Sequence, residues 1–292
     1  MMKKISSLII TILLGLSFVQ AQESGNRSYG AQRRKPSTNS GVLVGASSGR
    51  DVYFIEASVA MNMKADAYVA VFGLAQEGAN AAESNAKINQ LIAGLTRDLD
   101  GLGIKRNDVF VDFITQNKVY DYTTSGNVTT EKFTGFETKK NIAVRYNERE
   151  LLEKIIAAAA KNSIFDLIKV DYVVNDVKAV NARLFEEAVK VVKQKEAAYA
   201  NSFGIKLSPT NPANEKYDAF YPGELYAVYQ AFEAGSTYGG YDNNRVIQQR
   251  KTKTFYYESL DPSDFDSVIN QIGIEPMVQF TLYLRMQYEL KK

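Results

Sequence analysis

The last apolar run of the chain alternates without a break. Val278, Phe280, Leu282, Leu284, Met286, Tyr288 and Leu290 take turns with Gln279, Thr281, Tyr283, Arg285, Gln287 and Glu289. A period of two belongs to a strand with one face buried and one face polar. At ~3.3 Å per residue it spans about 45 Å. A strand this long requires partners of comparable length, so the chain must build an extended sheet.

Other segments supply those partners. Val52 to Ala60 and Ala65 to Ala75 are apolar and partly β-branched or aromatic, with Asn62 to Lys64 between them, which predicts an opening hairpin. Asp108 to Asp121 and Glu131 to Tyr146 read as two more strands across a turn rich in Thr, Ser, Gly and Asn. In the second of these, Phe136, Ile142, Val144 and Tyr146 share one parity, and Glu137, Lys139, Asn141 and Arg145 share the other. Phe165 to Asn175 is a fifth strand.

Three helical patterns interrupt the strands. Ile88, Ile92, Leu95, Leu99 and Leu102 form one face of a helix over Asn80 to Leu102, ended by Gly101 and Gly103. Glu148 to Lys161 carries Leu151, Leu152, Ile155, Ile156 and Ala159. Asp176 is placed to cap a third helix whose stripe is Val177, Val180, Leu184, Ala188 and Val191, and which Gly204 closes after Phe203. Residues 205–276 hold five of the six prolines and lack a clean period; Glu224 to Phe232 and Lys253 to Glu258 read as strands, Ser263 to Ile272 as a short helix. The order is β-β-α-β-β-α-β-α, then irregular strands, then β. Such an order predicts an α+β fold: a mostly antiparallel sheet with helices packed on one face.

The N-terminus reads as an export signal. Lys3 and Lys4 precede an apolar run from Ile5 to Val19, and Val19-Gln20-Ala21 fits a cleavage site after Ala21. The run is about 15 residues, whereas a membrane span needs about 20. The expected boundaries are a signal peptide over 1–21, a Ser/Gly/Asn-rich leader over 22–50, and a folded domain over 51–292. Cleavage would remove Lys3 and Lys4 and level Lys+Arg with the 33 Asp+Glu, so the mature chain is formally neutral. A neutral chain gives no reason to expect nucleic acid as a partner. No further transmembrane span is expected in the mature chain. The leader's Gly41 to Gly49 stretch lacks the Lys-Ser/Thr ending of a phosphate loop.

The chain has no Cys, no His and no Trp. That removes disulfides, thiol redox chemistry, a Ser-His-Asp triad and zinc sites built on His or Cys. After export, Met61, Met63, Met277 and Met286 are the remaining methionines, a poor oxidant sink. Asp166, Asp171, Asn175 and Asp176 form the best acidic set, but their spacing matches no calcium loop; solvent-facing and capping roles are the simpler reading. No catalytic, cofactor or metal residue is assigned, and a non-enzymatic role is expected.

Several local sequences, taken in order, resemble the SIMPL-domain family, exported bacterial proteins with a domain of unknown function. They are Ala57-Ser58-Val59-Ala60 leading to Asp66-Ala67-Tyr68-Val69-Ala70-Val71; Ala79-Asn80-Ala81-Ala82; Leu99-Asp100-Gly101-Leu102-Gly103-Ile104-Lys105-Arg106-Asn107-Asp108-Val109; Thr115 to Tyr122; Tyr146 to Leu152; Ala200-Asn201-Ser202-Phe203-Gly204-Ile205-Lys206-Leu207; and the alternating C-terminal strand. The resemblance covers roughly Val52 to Leu290. It implies a periplasmic or outer-membrane-associated protein linked to envelope homeostasis and oxidative-stress tolerance. It also implies a homo-oligomer, since at least one relative assembles into a ring. No catalytic residues are established in that family, and none are carried over.

A Tyr-rich stretch of about 217–257 departs from the family pattern and reads as an enlarged insertion. Tyr217, Phe220, Tyr221, Tyr226, Tyr229, Phe232, Tyr238 and Tyr241 are the candidate interaction surface, for an envelope protein or a glycan. Packing of the insertion onto the sheet is the competing reading. Two roles follow. One is a self-assembling envelope protein. The other is a monomeric binding module using the insertion. A carboxylate-based hydrolase is a weaker third.

Overall fold

The computed structural model describes residues 52–230, 253–271 and 273–290. The export signal, the leader and the core of the Tyr-rich stretch lie outside the described residues. In chain order the elements are β1 (Val52–Met63), β2 (Ala67–Gly78), α1 (Ala81–Gly101), β3 (Val109–Ser125), β4 (Val128–Tyr146), α2 (Leu151–Lys161), β5 (Asp166–Val173), α3 (Val177–Phe203), β6 (Leu207–Phe220), β7 (Tyr226–Gln230), β8 (Lys253–Tyr257), β9 (Ser267–Ile269) and β10 (Val278–Leu290). The α+β order is as the periodicity predicts.

The strands form two four-stranded sheets, ordered β6-β10-β1-β9 and β3-β4-β2-β5, and a β7-β8 ribbon. α3 packs on β1 and β10; α1 packs on β2 and β4, with α2 beside it. Each sheet with its helices encloses its own core. Ile88, Leu95, Leu99, Phe72, Ile142 and Ile155 lead one; Ile55, Met61, Leu184, Leu282 and Leu284 lead the other. Tyr172 at the end of β5 packs against both cores and meets Tyr68 edge to face at 5.1 Å. The helix stripes fall where their spacing put them, except that Ile156 on α2 and Val177 at the start of α3 are exposed.

The expected β1–β2 hairpin does not form. β1 pairs antiparallel with β10 along its whole length and parallel with β9 at Val59 to Met61. β2 lies between β4 and β5. The connecting residues already belong to β5's side: the Asp66 amide donates to the Val173 carbonyl at 2.8 Å, and the Asn175 amide donates to Asp66 Oδ2 at 2.7 Å. β1 has β10 along one edge and β9 on part of the other, and β2 has a strand on each edge, so the two do not pair with each other.

Two further expectations change in the irregular region. Ser263 to Ile272 is not a helix; a 3-10 turn at Pro262–Asp264 leads into the short strand β9. Asp261 closes that turn by accepting from the Ser263 amide. Residues 207–220, left without structure by their prolines, form β6. It is an edge strand, where a proline's missing N–H costs no ladder bond, and its register with β10 shifts around Pro209.

The start of α1 is closed reciprocally. Asn80 Oδ1 accepts from the Glu83 amide at 3.0 Å, and Glu83 Oε2 accepts from the Ala79 amide at 3.0 Å. Asn80→Ala is expected to lower stability by about 1 kcal/mol, read as a lower urea midpoint at unchanged slope.

Candidate functional site

β3 and β4 are longer than the sheet they belong to. β2 pairs with β4 only from Phe136 to Tyr146. Beyond that point β3 and β4 have only each other, and Tyr120 to Ser125 pairs with Val128 to Phe133. This ribbon extends roughly 20 Å at ~3.4 Å per residue. It closes on a two-residue turn in which Gly126 takes a φ of 60°, a left-handed value that glycine adopts without strain.

The departure from the sheet is built into the sequence. A methyl group on Gly135 would collide with the Gly78 carbonyl oxygen, so only glycine lets β4 pass the end of β2. Thr134 is bulged out of the pairing there, and its hydroxyl donates to the Val119 carbonyl at 3.0 Å. The extra residue rotates the strand and puts Phe133 on the same side as Phe136.

That side carries an aromatic ladder. Tyr120 and Phe133 meet edge to face at 5.7 Å, and Phe133 and Phe136 at 5.5 Å. Register places Tyr122, Glu131, Thr124 and Thr129 on the same face, with Asp121, Thr123, Lys132 and Thr130 opposite. The ladder is not a core. Tyr120, Tyr122 and Phe133 are 44%, 67% and 45% exposed, and Phe110, Phe113 and Ile114 are exposed toward the base of β3. Among the described residues no layer covers these aromatics, which makes the ribbon a candidate contact surface. The sequence held a small signal for it: Tyr120 and Tyr122 flank Asp121 where the third strand was expected to end, and Phe133 follows where the fourth was expected to begin.

The sequence-predicted surface is dispersed. Phe220 is buried with Leu225 and Leu260, and Tyr221 packs against the α3 core. Tyr226 meets Tyr257 edge to face at 6.0 Å, and burial raises its phenol above the ordinary range. Tyr217 on β6 donates to Glu215 Oε2 at 3.3 Å. Tyr229 alone of the described set stands well exposed, beside Val228, Phe255 and Tyr256 on the β7–β8 ribbon. Phe232, Tyr238 and Tyr241 lie outside the described residues. The acidic set has local roles: Asp171 pairs with Lys169 at 2.8 Å, and Asp176 Oδ1 accepts from the Ala179 amide at 2.8 Å, capping α3. Among the described residues no three acidic side chains converge on a point where a metal would sit.

The most buried charge lies elsewhere. Glu56 on β1 is 4% exposed and faces Arg285 on β10. Arg285 Nε donates to Glu56 Oε1 at 2.7 Å, and Arg285 Nη2 lies 2.6 Å from the same oxygen. Burial first, then the Glu56 carboxylate, pushes the Tyr283 phenol up to about 12. On the same sheet face Gln279 Nε2 donates to Asn62 Oδ1 at 2.6 Å, and Asn62 Nδ2 donates to the Asn270 carbonyl at 2.9 Å. The Glu56–Arg285 and Asn62–Gln279 bonds join β1 to β10, and the bond to Asn270 ties in the end of β9.

The model of the SIMPL family, described as a protein of unknown function (DUF541), matches residues 55–246. No curated protein matches the chain. The matched segment holds β2 to β7 and nearly all of β1, but not β8, β9 or β10. Among the described residues no helix is long and apolar enough to cross a membrane.

Proposed function

Starting from the fact that this chain belongs to the SIMPL family, we propose that it is an exported, non-enzymatic protein that self-associates and supports the cell envelope or its tolerance of stress. The observation that carries this reading is the aromatic arm of β3 and β4. A ribbon that leaves its sheet with Tyr120, Tyr122 and Phe133 exposed gains by burying them against another chain. The N-terminal charged-then-apolar pattern supports export. The absence of Cys directs any stress role toward envelope integrity rather than thiol chemistry.

A second reading has one observation in its favour. The β7–β8 ribbon exposes Val228, Tyr229, Phe255 and Tyr256, which suits a binding module for a protein or glycan. A flat glycan platform is a poor match for the arm, whose rings stand 70° and 77° to one another.

The two readings separate by mutation. Tyr120→Ser, Tyr122→Ser and Phe133→Ser combined should reduce the chain from Gln22 onward to a single-chain mass in sedimentation, with its unfolding temperature little changed. Deleting residues 231–252 should leave the number of chains in the assembly unaltered. A triple variant that keeps the full assembly mass would overturn the proposal.

A further inference from the structure

Past the end of β2 the arm has two edges, and an unpaired edge is a template for another strand unless it is blocked. The turn decides which backbone groups point outward. Ser125 and Val128 flank it and exchange both their hydrogen bonds. Pairing alternates from there. Thr123 with Thr130 and Asp121 with Lys132 are hydrogen-bonded, whereas Thr124 with Thr129, Tyr122 with Glu131 and Tyr120 with Phe133 are not. The amides and carbonyls of these last residues face away from the ribbon.

The two edges differ. On β3 the outward Tyr122 amide donates to Asp121 Oδ1 at 2.8 Å, so a side chain occupies the middle of that edge. On β4 the run from Val128 to Phe133 has no proline, and its register is unbroken up to the bulge at Thr134. Among the described residues no side chain bonds its outward amides or carbonyls, and every residue from Asp121 to Thr134 is exposed. A strand added there lies in line with β2, beyond Gly78.

That run is complementary to itself. Two copies paired antiparallel about a two-fold axis normal to the ribbon, centred on Thr130, set Thr130 opposite Thr130, Thr129 opposite Glu131 and Val128 opposite Lys132. No like charges meet. Centring on Glu131 places two carboxylates face to face, and centring on Lys132 two ammonium groups; like charges directly opposite are destabilising. Sliding further drives the second copy into the end of β2, where even a methyl group on Gly135 would collide with the Gly78 carbonyl oxygen. Sliding back toward the turn shortens the ladder. In the Thr130 register the turn of the second copy stops beside Thr134, short of Gly78.

We infer that the free edge of β4 is the contact between copies: Asn127 to Phe133 of a second chain adds to it antiparallel, centred on Thr130. This rests on the reading that the arm carries self-association, and it names the contact. The outward groups of Thr129, Glu131 and Phe133 gain main-chain bonds. The two ribbons become one four-stranded sheet, and Phe133 of each copy lies beside the turn of the other. Because the axis is normal to the sheet, both aromatic ladders fall on one side, as a single larger surface for further copies.

The chain has no Cys, so an introduced one is the sole thiol. In the inferred register Thr130 faces itself in a non-hydrogen-bonded pair, with Cα atoms about 4.5 Å apart, inside the range a disulfide spans. Thr130→Cys in the chain from Gln22 onward, mildly oxidised, should run almost wholly at the mass of two chains on a non-reducing gel. Thr123→Cys, on the same face but one strand away from the axis, should stay at one chain. So should Val128→Cys and Lys132→Cys alone, whereas mixing those two should give the two-chain band. Glu131→Pro removes an outward amide and no bond of the ribbon itself. It should lower the assembly mass in sedimentation at an unchanged unfolding temperature, whereas Glu131→Gln should leave the mass as it was. If the chain self-associates and Thr130→Cys links no better than Thr123→Cys, or if Lys132→Cys alone links best, the contact is overturned and self-association stands. If the unaltered chain keeps a single-chain mass at every concentration, both fall.

Discussion

A chain ending at residue 246, where the family match stops, is expected to lose one sheet and keep the other. The cut removes β10, which lies between β1 and β6 and pairs with both. It takes Val278, Phe280, Leu282, Leu284 and Tyr288 out of the α3 core, each of them buried. At about 1.5–3 kcal/mol for each large apolar side chain, the loss is comparable with the roughly 5–15 kcal/mol of net stability of a whole domain. The buried residues of the other core all lie between Tyr68 and Ile164, and those packed against them reach no further than Tyr172, so it survives the cut. Limited proteolysis with mass analysis should return a resistant fragment holding β2 to β5, with α3 digested. Protection of α3 equal to that in the full chain would contradict this division.

The second large effect is expected at Arg285. Its guanidinium pairs with the Glu56 carboxylate, and it lies 5.5 Å from the Phe54 ring centre. Among the described residues Glu56 Oε2 is buried with no hydrogen-bond partner, and Arg285 is the cation that neutralises the acid. Arg285→Leu strands a buried charge, a change that costs about 3–5 kcal/mol in buried pairs. The Arg285 side chain is 29% exposed, so water screens part of the interaction and the expected loss is near the lower end. Glu56→Leu combined with Arg285→Leu should recover most of it, because an apolar pair leaves no charge behind. Urea unfolding of the two singles and the double reads this directly. A double variant as unstable as Arg285→Leu alone would show that packing, not charge, sets the loss.

Much of the fold was legible because its strongest elements obey one period each. β10 alternates cleanly, and the faces of α1 and α3 fall on the predicted residues. Asp176 and Gly204 sit at the helix ends where their chemistry places them, Gly204 with a φ of 65°. What escaped was pairing, which local pattern does not encode. β1 and β2 look like a hairpin because three residues join them, yet each finds its partners far along the chain. β1 also hides its role. Glu56, Ser58 and Asn62 are polar residues of one parity, yet the segment around Leu260 to Asn270 covers much of that face, and the Leu260 amide donates to Gln279 Oε1 at 2.7 Å. β6 was hidden by prolines that an edge strand tolerates.

The candidate surface was less legible for a related reason. Tyrosines adjacent in sequence need not share a surface: Phe220 and Tyr226 turn inward while Tyr229 turns out. The aromatics of the arm are separated by the turn at Gly126 and Asn127 and come together only through the β3–β4 register and the bulge at Thr134. Neither the register nor the bulge is visible in composition.

Self-association through the arm is the central claim, and the mass of the chain from Gln22 onward in solution tests it most directly. Light scattering coupled to size exclusion, across a range of concentrations, should give a mass several times that of one chain, whose full length is 32.5 kDa. A single-chain mass at every concentration would contradict the claim and leave the β7–β8 ribbon as the surface on which to seek a ligand.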